Sequence, residues 1–305
     1  MAIVPTDVPM TPALAGQTIA ALKEAYPFLQ TERLATTAFG RGIDALTIGT
    51  GKRQVLYSAA HHANEWLTAT VLLKFTEDLA EAIQTGSQLG GVDAAQLAEQ
   101  TTIHIVPMVD PDGVDLVTGA IAPGSEDYEQ AQALAENYPA IPFPDGWKAN
   151  FSGVDLNLQY PAGWLMAREI KFSQGYTRPG PRDYVGRFPL SQLESQALYD
   201  YTERIDPAIV IAWHSQGEVI YWQYGGIEVS GARELAERFA SVSGYALEDT
   251  PYASSFAGYK DWFIQAYRRP GFTIEVGTGT NPLPLEQFED IYQASLPILL
   301  EGAKG

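Results

Sequence analysis

A chain of 305 residues with 46% hydrophobic side chains can bury a substantial core. Its 37 acidic against 19 basic residues give a formal charge of −18, a surface that repels nucleic acid and anionic membranes and excludes both as partners. There is no cysteine, so disulfides, thiolate metal sites and thiol nucleophiles are ruled out.

The opening MAIVPTDVPMTPALAG has neither a basic stretch nor a continuous apolar core of a leader, and no run reaches transmembrane length. A cytoplasmic protein is the expectation. From Thr11 to Ala25 the apolar spacing predicts an amphipathic helix with Pro12 near its start. Two short strands follow, Leu34–Phe39 and Asp44–Ile48, around the turn Gly40-Arg41-Gly42. VLYSAA (55–60) reads as a buried strand leading into HHANEW and a helix from Trp66 to about Ile83. IHIVPMV (103–109) is the next buried strand, ending at the turn signal Asp110-Pro111-Asp112-Gly113.

Glu126–Asn137 has helical spacing, whereas residues 138–189, rich in Pro, Gly and aromatics, read as one long functional loop. Further helices are expected at Ser191–Ile205, Ala232–Ser243 and Tyr259–Arg268, with strands at Ala208–His214, Val219–Tyr224 and Phe272–Val276 before a final helix. Buried strands alternating with helices imply an α/β fold, a mixed and mostly parallel sheet with helices on both faces. No linker or repeat divides the chain, so residues 1–305 are expected to form one domain. Ligands in such sheets gather at the carboxyl ends of the strands, where His62 and Glu65, His214 and Glu275 all fall.

Zinc catalysis needs three nitrogen or oxygen ligands and one open position. His62 and Glu65 form an H-x-x-E pair just after a buried strand, and His214 ends an apolar strand about 150 residues later. These three are the expected ligands of one Zn2+ per chain. His61 is expected to be structural or to support the ligands, and His104, mid-strand, to be a sheet histidine. Glu275 in FTIEV is a carboxylate among apolar residues, costly to bury without purpose. It is the candidate general base, taking a proton from the attacking water and passing it to the leaving amine. G-x-S-x-G and H-E-x-x-H are both absent, which argues against serine hydrolases and thermolysin-like proteases.

Five ordered blocks carry a more specific likeness: AHHANEW (60–66), VPMVDPDGVDL (106–116), WKANFSGVDLNLQYPAGW (147–164), AWHSQG (212–217) and the stretch TPYASSFAGYKDWFIQAYRRPGFTIEVGTGTNPLP (250–284). In these the chain resembles the M14 zinc carboxypeptidases, and among them the bacterial γ-D-glutamyl-diamino-acid peptidases that cut peptidoglycan stem peptides. The resemblance implies a zinc-carboxypeptidase-like fold with an eight-stranded sheet, and the same ligands and base. It implies substrate-binding roles for Asn157 and for Tyr252, which resembles a tyrosine that closes over substrate. Lys148 matches the arginine that stabilises the oxyanion, and Lys260 the residue that reads the side chain after the scissile bond. Arg182 is a second candidate for that reading. Leu158 departs from the pattern, because typical carboxypeptidases carry there an arginine for the C-terminal carboxylate. The expected reaction is therefore hydrolysis of the amide between γ-D-glutamate and a diamino acid such as meso-diaminopimelate. An ordinary metallocarboxypeptidase and an inactive cell-wall-binding module are the alternatives.

Overall fold

The computed structural model describes residues 2–304. Helix α1 (Pro12–Ala25) opens as its sequence demands: Thr11 caps it by accepting the Leu14 N–H, and Pro12 takes the first turn, where no backbone donor is missed. Strands β1 (Gln30–Thr36) and β2 (Gly42–Ile48) form an antiparallel pair. The first strand begins four residues before the expected Leu34 because its polar residues Gln30–Arg33 pair with β2, although their side chains face solvent.

Next come β3 (Arg53–Ala59), α2 (Leu67–Thr85), a two-residue hairpin of β4 (Gln88–Leu89) and β5 (Val92–Asp93), α3 (Ala94–Gln100) and β6 (Thr101–Val106). Asp110-Pro111-Asp112-Gly113 is not a turn but the start of α4 (Pro111–Val117), with Asp110 capping the Gly113 N–H and Pro111 in the first turn. Gly113 is required there, since a Cβ would lie 2.3 Å from the Asp110 carboxylate and 2.7 Å from the Ala149 carbonyl. After α5 (Glu126–Ala135), the expected loop 138–189 contains the helix α6 (Trp164–Ser173). It is entered through Gly163 in the left-handed conformation and buries Trp164, Ala167 and Lys171, one face of the helix.

The chain continues through α7 (Leu193–Ile205), β7 (Ile209–His214), β8 (Val219–Tyr221), α8 (Ala232–Ser243), β9 (Ala246–Glu248), α9 (Tyr259–Tyr267), β10 (Gly271–Glu275) and α10 (Phe288–Lys304). Eight strands make one mixed sheet in the order β1-β2-β6-β3-β7-β10-β8-β9. Its four central strands β6, β3, β7 and β10 are parallel.

Alternating side chains feed two apolar cores. Val55, Tyr57, Ile211 and Trp213 pack on one face with Leu72, Phe75 and Leu299 from α2 and α10. Leu56, Val210 and Ala212 pack on the other with Leu198 and Phe263 from α7 and α9. Both faces are thus covered, which is why the central strands read as unbroken apolar runs. The chain leaves β3 toward β6 on one side and later returns to β7 on the other, so the crevice opens at the end of β3. No helix among the described residues is long and apolar enough to cross a membrane.

Candidate metal centre and substrate cleft

Register alone brings the key residues together. Ala59 pairs with Trp213 across β3 and β7, and His214 pairs with Glu275 across β7 and β10. Three neighbouring strands therefore deliver His62, His214 and Glu275 to one edge. His62 precedes and Glu65 ends a single 3-10 turn, Ala63–Glu65. Thr68 braces that turn by donating to the Glu65 carbonyl (2.7 Å) and accepting from the Ala60 N–H (3.0 Å).

His62 Nδ1 lies 2.9 Å from Glu65 Oε1, His214 Nδ1 lies 3.0 Å from Glu65 Oε2, and the two Nδ1 atoms are 3.2 Å apart. All three side chains are buried. The donor set suits a divalent cation. Two imidazole nitrogens in contact can share only one proton, and donors each about 2.0–2.1 Å from a tetrahedral zinc stand about 3.3 Å apart. Among the described residues these are the only three His or acidic side chains grouped closely enough to hold an ion.

The protein groups alone balance charge in the same pattern. Burial works against a charged His62, yet Glu65 and Asp155 carry its pKa up to about 9. Burial likewise opposes ionised Glu65, but His62 and Lys148 hold its carboxyl well below the usual range. Burial lowers the pKa of His214, with Glu65 acting in the opposite direction.

Asp155 was not among the expected residues. Its Oδ1 meets His62 Nε2 at 3.2 Å and also accepts the Asn157 N–H at 3.1 Å. A carboxylate behind a ligating histidine fixes the ring and raises its basicity. The signal was an acidic residue inside GVDLN, but its partner lies 93 positions away. His61, fully buried, meets Ser58 Oγ at 2.9 Å and lies tilted at 5.1 Å from the His214 ring, a supporting place as expected. His104 meets Thr47 and Gln54 of the sheet and Tyr201 of α7, and lines neither chamber of the cleft.

Glu275 closes β10 at the mouth of the centre, where burial first, and then the charge of Glu65, push its pKa up to about 8. Lys148 Nζ lies 3.2 Å from Glu65 Oε1; burial opposes its charge, but Glu65 and Asp155 hold its pKa above the ordinary value. These residues stand where two chambers meet. A narrow one of about 200 Å³ is walled by Asn157, Leu158, Lys171, Lys260 and Asp261; a wider one of about 810 Å³ runs past Asn64, Ser215 and Asn281. Lys148, Arg182, Tyr221 and Glu275 line both.

The remaining expected residues differ in how ready they are for substrate. Asn157 Oδ1 accepts the Tyr259 N–H at 3.0 Å, which orients the amide in the narrow chamber. Arg182 donates through Nε to Asp183 at 2.7 Å. Lys260 is buried and already engaged, donating to Asp261 Oδ1 (2.5 Å) and to the Gln223 carbonyl (2.7 Å). Tyr252 is 67% exposed, packs edge-on against Phe256 and lines neither chamber in this conformation. Leu158 packs with Trp164, Val185 and Ala257, so its side chain supports the chamber wall.

Comparison with known proteins agrees with this architecture. Residues 16–297 match the peptidase M14 family, zinc carboxypeptidase. The chain is 43% identical over 281 residues to γ-D-glutamyl-L-diamino acid endopeptidase 1 of Lysinibacillus sphaericus, covering 92% of this chain and 69% of that protein. It is 36% identical over 278 residues to the uncharacterized protein YqgT of Bacillus subtilis (strain 168), covering 90% and 72%. Its fold superposes on bovine thrombin-activatable fibrinolysis inhibitor with a TM-score of 0.74 at 16% identity, covering 98% of this chain and 97% of that one. The chain belongs to the M14 family of zinc carboxypeptidases, and is a zinc-dependent metallopeptidase by that membership.

Proposed function

We propose that this protein hydrolyses the amide between γ-D-glutamate and a diamino acid, meso-diaminopimelate in particular, in peptidoglycan stem peptides. The observation that carries the reading is the coexistence of a complete His62–Glu65–His214 centre with leucine at position 158. A metallocarboxypeptidase acting on ordinary C-termini needs a bidentate clamp for the terminal carboxylate, which leucine cannot make. The L. sphaericus relative, named for cleavage at γ-D-glutamyl-L-diamino acid bonds, supports the same substrate class. Retention of all three ligands and of Glu275 argues against an inactive wall-binding module.

On this reading His62, Glu65 and His214 hold one zinc ion, which supplies a Lewis acid for the scissile carbonyl and for the attacking water. Asp155 keeps the His62 ring in place through Nε2. Glu275 takes the proton from the attacking water and delivers it to the leaving amine. Its place at the end of β10, in register with His214 and lining both chambers, suits that transfer. Lys148, charged and beside the ligands, stabilises the developing oxyanion. Asn157 and Arg182 orient the substrate, Lys260 shapes the chamber floor, and Tyr252 closes over the bound peptide.

Mass spectrometry of muropeptides digested with the wild type and with Glu275→Gln tests this. The wild type should release the diamino-acid-bearing fragment, and the variant should lose release while retaining its zinc. Preference for a hippuryl-type peptide over the γ-D-glutamyl-diaminopimelate tripeptide would overturn the substrate assignment.

A further inference from the structure

A leaving meso-diaminopimelate presents two carboxylates, and lysine only one. If Asn157 takes the carboxylate beside the scissile bond, as in the reaction proposed above, the second needs a cation of its own. Four cationic side chains reach the narrow chamber: Lys148, Lys171, Arg182 and Lys260. Lys148, 3.2 Å from Glu65, is assigned above to the oxyanion, and Lys260 is engaged by Asp261 and the Gln223 carbonyl. Arg182 is different. Its side chain is 42% exposed and only its Nε is engaged, with no protein acceptor for Nη1 or Nη2 among the described residues. One edge of the guanidinium is thereby free for a carboxylate.

What aims that edge is a buried ion pair. Asp183 binds Arg182 Nε through Oδ2 and Lys171 Nζ through Oδ1, at 2.7 and 2.5 Å. The Lys171 side chain is 9% exposed, so the pair is largely shielded from water. Asp183 adopts a left-handed backbone (φ 65°), a conformation that persists where the surroundings fix it, and its N–H donates to Asp155 Oδ2 at 3.3 Å. Lys171 thus occupies one oxygen of Asp183 and keeps Arg182 from closing on both. The triplet carries one net positive charge into the chamber.

We infer that Lys171 is a positioning residue for specificity: through Asp183 it presents Arg182 to the second carboxylate of the diamino acid. The inference rests on the proposed substrate class, but it concerns recognition and can be read without turnover. Without Lys171, the freed Asp183 oxygen draws Arg182 into a bidentate pair, and the chamber loses its carboxylate receptor.

Calorimetric titration of the purified protein with meso-diaminopimelate and with L-lysine is the test. The wild type should bind meso-diaminopimelate at least tenfold more tightly; Lys171→Met should erase the difference, and Lys171→Arg should restore most of it. Arg182→Lys, altered at a half-exposed position where folding is not at stake, should also lose the preference. Steady-state kinetics should agree: in Lys171→Met, KM for the diaminopimelate tripeptide rises about tenfold and that for its lysine counterpart stays within twofold. Equal affinities in the wild type, or a preference that survives Lys171→Met, would overturn the inference. A binding preference in protein that fails to cleave γ-D-glutamyl peptides would still support the receptor and would count against the proposed reaction instead.

Discussion

Glu275 and His214 are register partners at the carboxyl ends of adjacent parallel strands, β10 and β7. Sheet geometry rather than a flexible loop therefore sets the distance between the Glu275 carboxylate, the proposed base, and the candidate metal centre. Replacing Glu275 by glutamine preserves shape and burial while removing the proton acceptor. Turnover should fall by at least about 10²–10⁴-fold, with zinc content by atomic absorption unchanged. A variant that keeps wild-type turnover would remove Glu275 from the reaction.

Asp155 supports His62 from behind. Asp155→Asn should weaken zinc binding by about 10–100-fold, the usual effect of losing the partner of a ligating histidine. Competition against a chromophoric chelator reads this directly. Unaltered affinity would mean that the Asp155–His62 contact does not tune the site.

Lys148 pairs with Glu65 at the candidate metal centre, and its ammonium stays charged beside Glu65 and Asp155. Lys148→Met should lower kcat by about 10²–10³-fold, corresponding to roughly 3–4 kcal/mol of lost oxyanion stabilisation, with KM changing much less. A rise in KM alone would assign Lys148 to substrate binding.

His104 provides a pH signature outside both chambers. Burial, and secondarily Arg204, lower its pKa from 6.5 to about 4, so the folded protein resists protonation where the unfolded chain accepts it. Its contribution is complete above pH 6.5 and is lost as the pH falls toward 4, at about 1.4 kcal/mol per pH unit and roughly 3 kcal/mol in all. His104→Gln removes that titration, so the difference in denaturation midpoint between variant and wild type should shift in the variant's favour between pH 6.5 and 4. A difference independent of pH would contradict the buried, neutral histidine.

The central sheet was legible because β3, β6, β7 and β10 are buried on both faces and so appear as apolar runs. The grouping of His62, Glu65, His214 and Glu275 was legible because each sits at or just beyond such a run. Helix α6 escaped because its buried face includes Lys171, a charge where periodicity looks for an apolar residue, and because Gly and Pro surround it. Helix α4 was read as a turn since Asp-Pro-Asp-Gly serves either end; only packing against the Ala149 carbonyl and Ala63 decides between them. Asp155 and Lys171 meet their partners, His62 and Asp183, 93 and 12 positions away, so the local sequence does not reveal either pairing. The engagement of Lys260 with Asp261 was equally hidden, because neighbouring helical residues do not ordinarily face each other.

Anomalous diffraction at the zinc edge, from crystals grown with one equivalent of zinc, addresses the metal centre itself. One peak should lie about 2.0–2.2 Å from His62 Nδ1, His214 Nδ1 and a Glu65 carboxylate oxygen, with Glu275 outside the ligand set. A peak that excludes either histidine, or none at this position, would contradict the account.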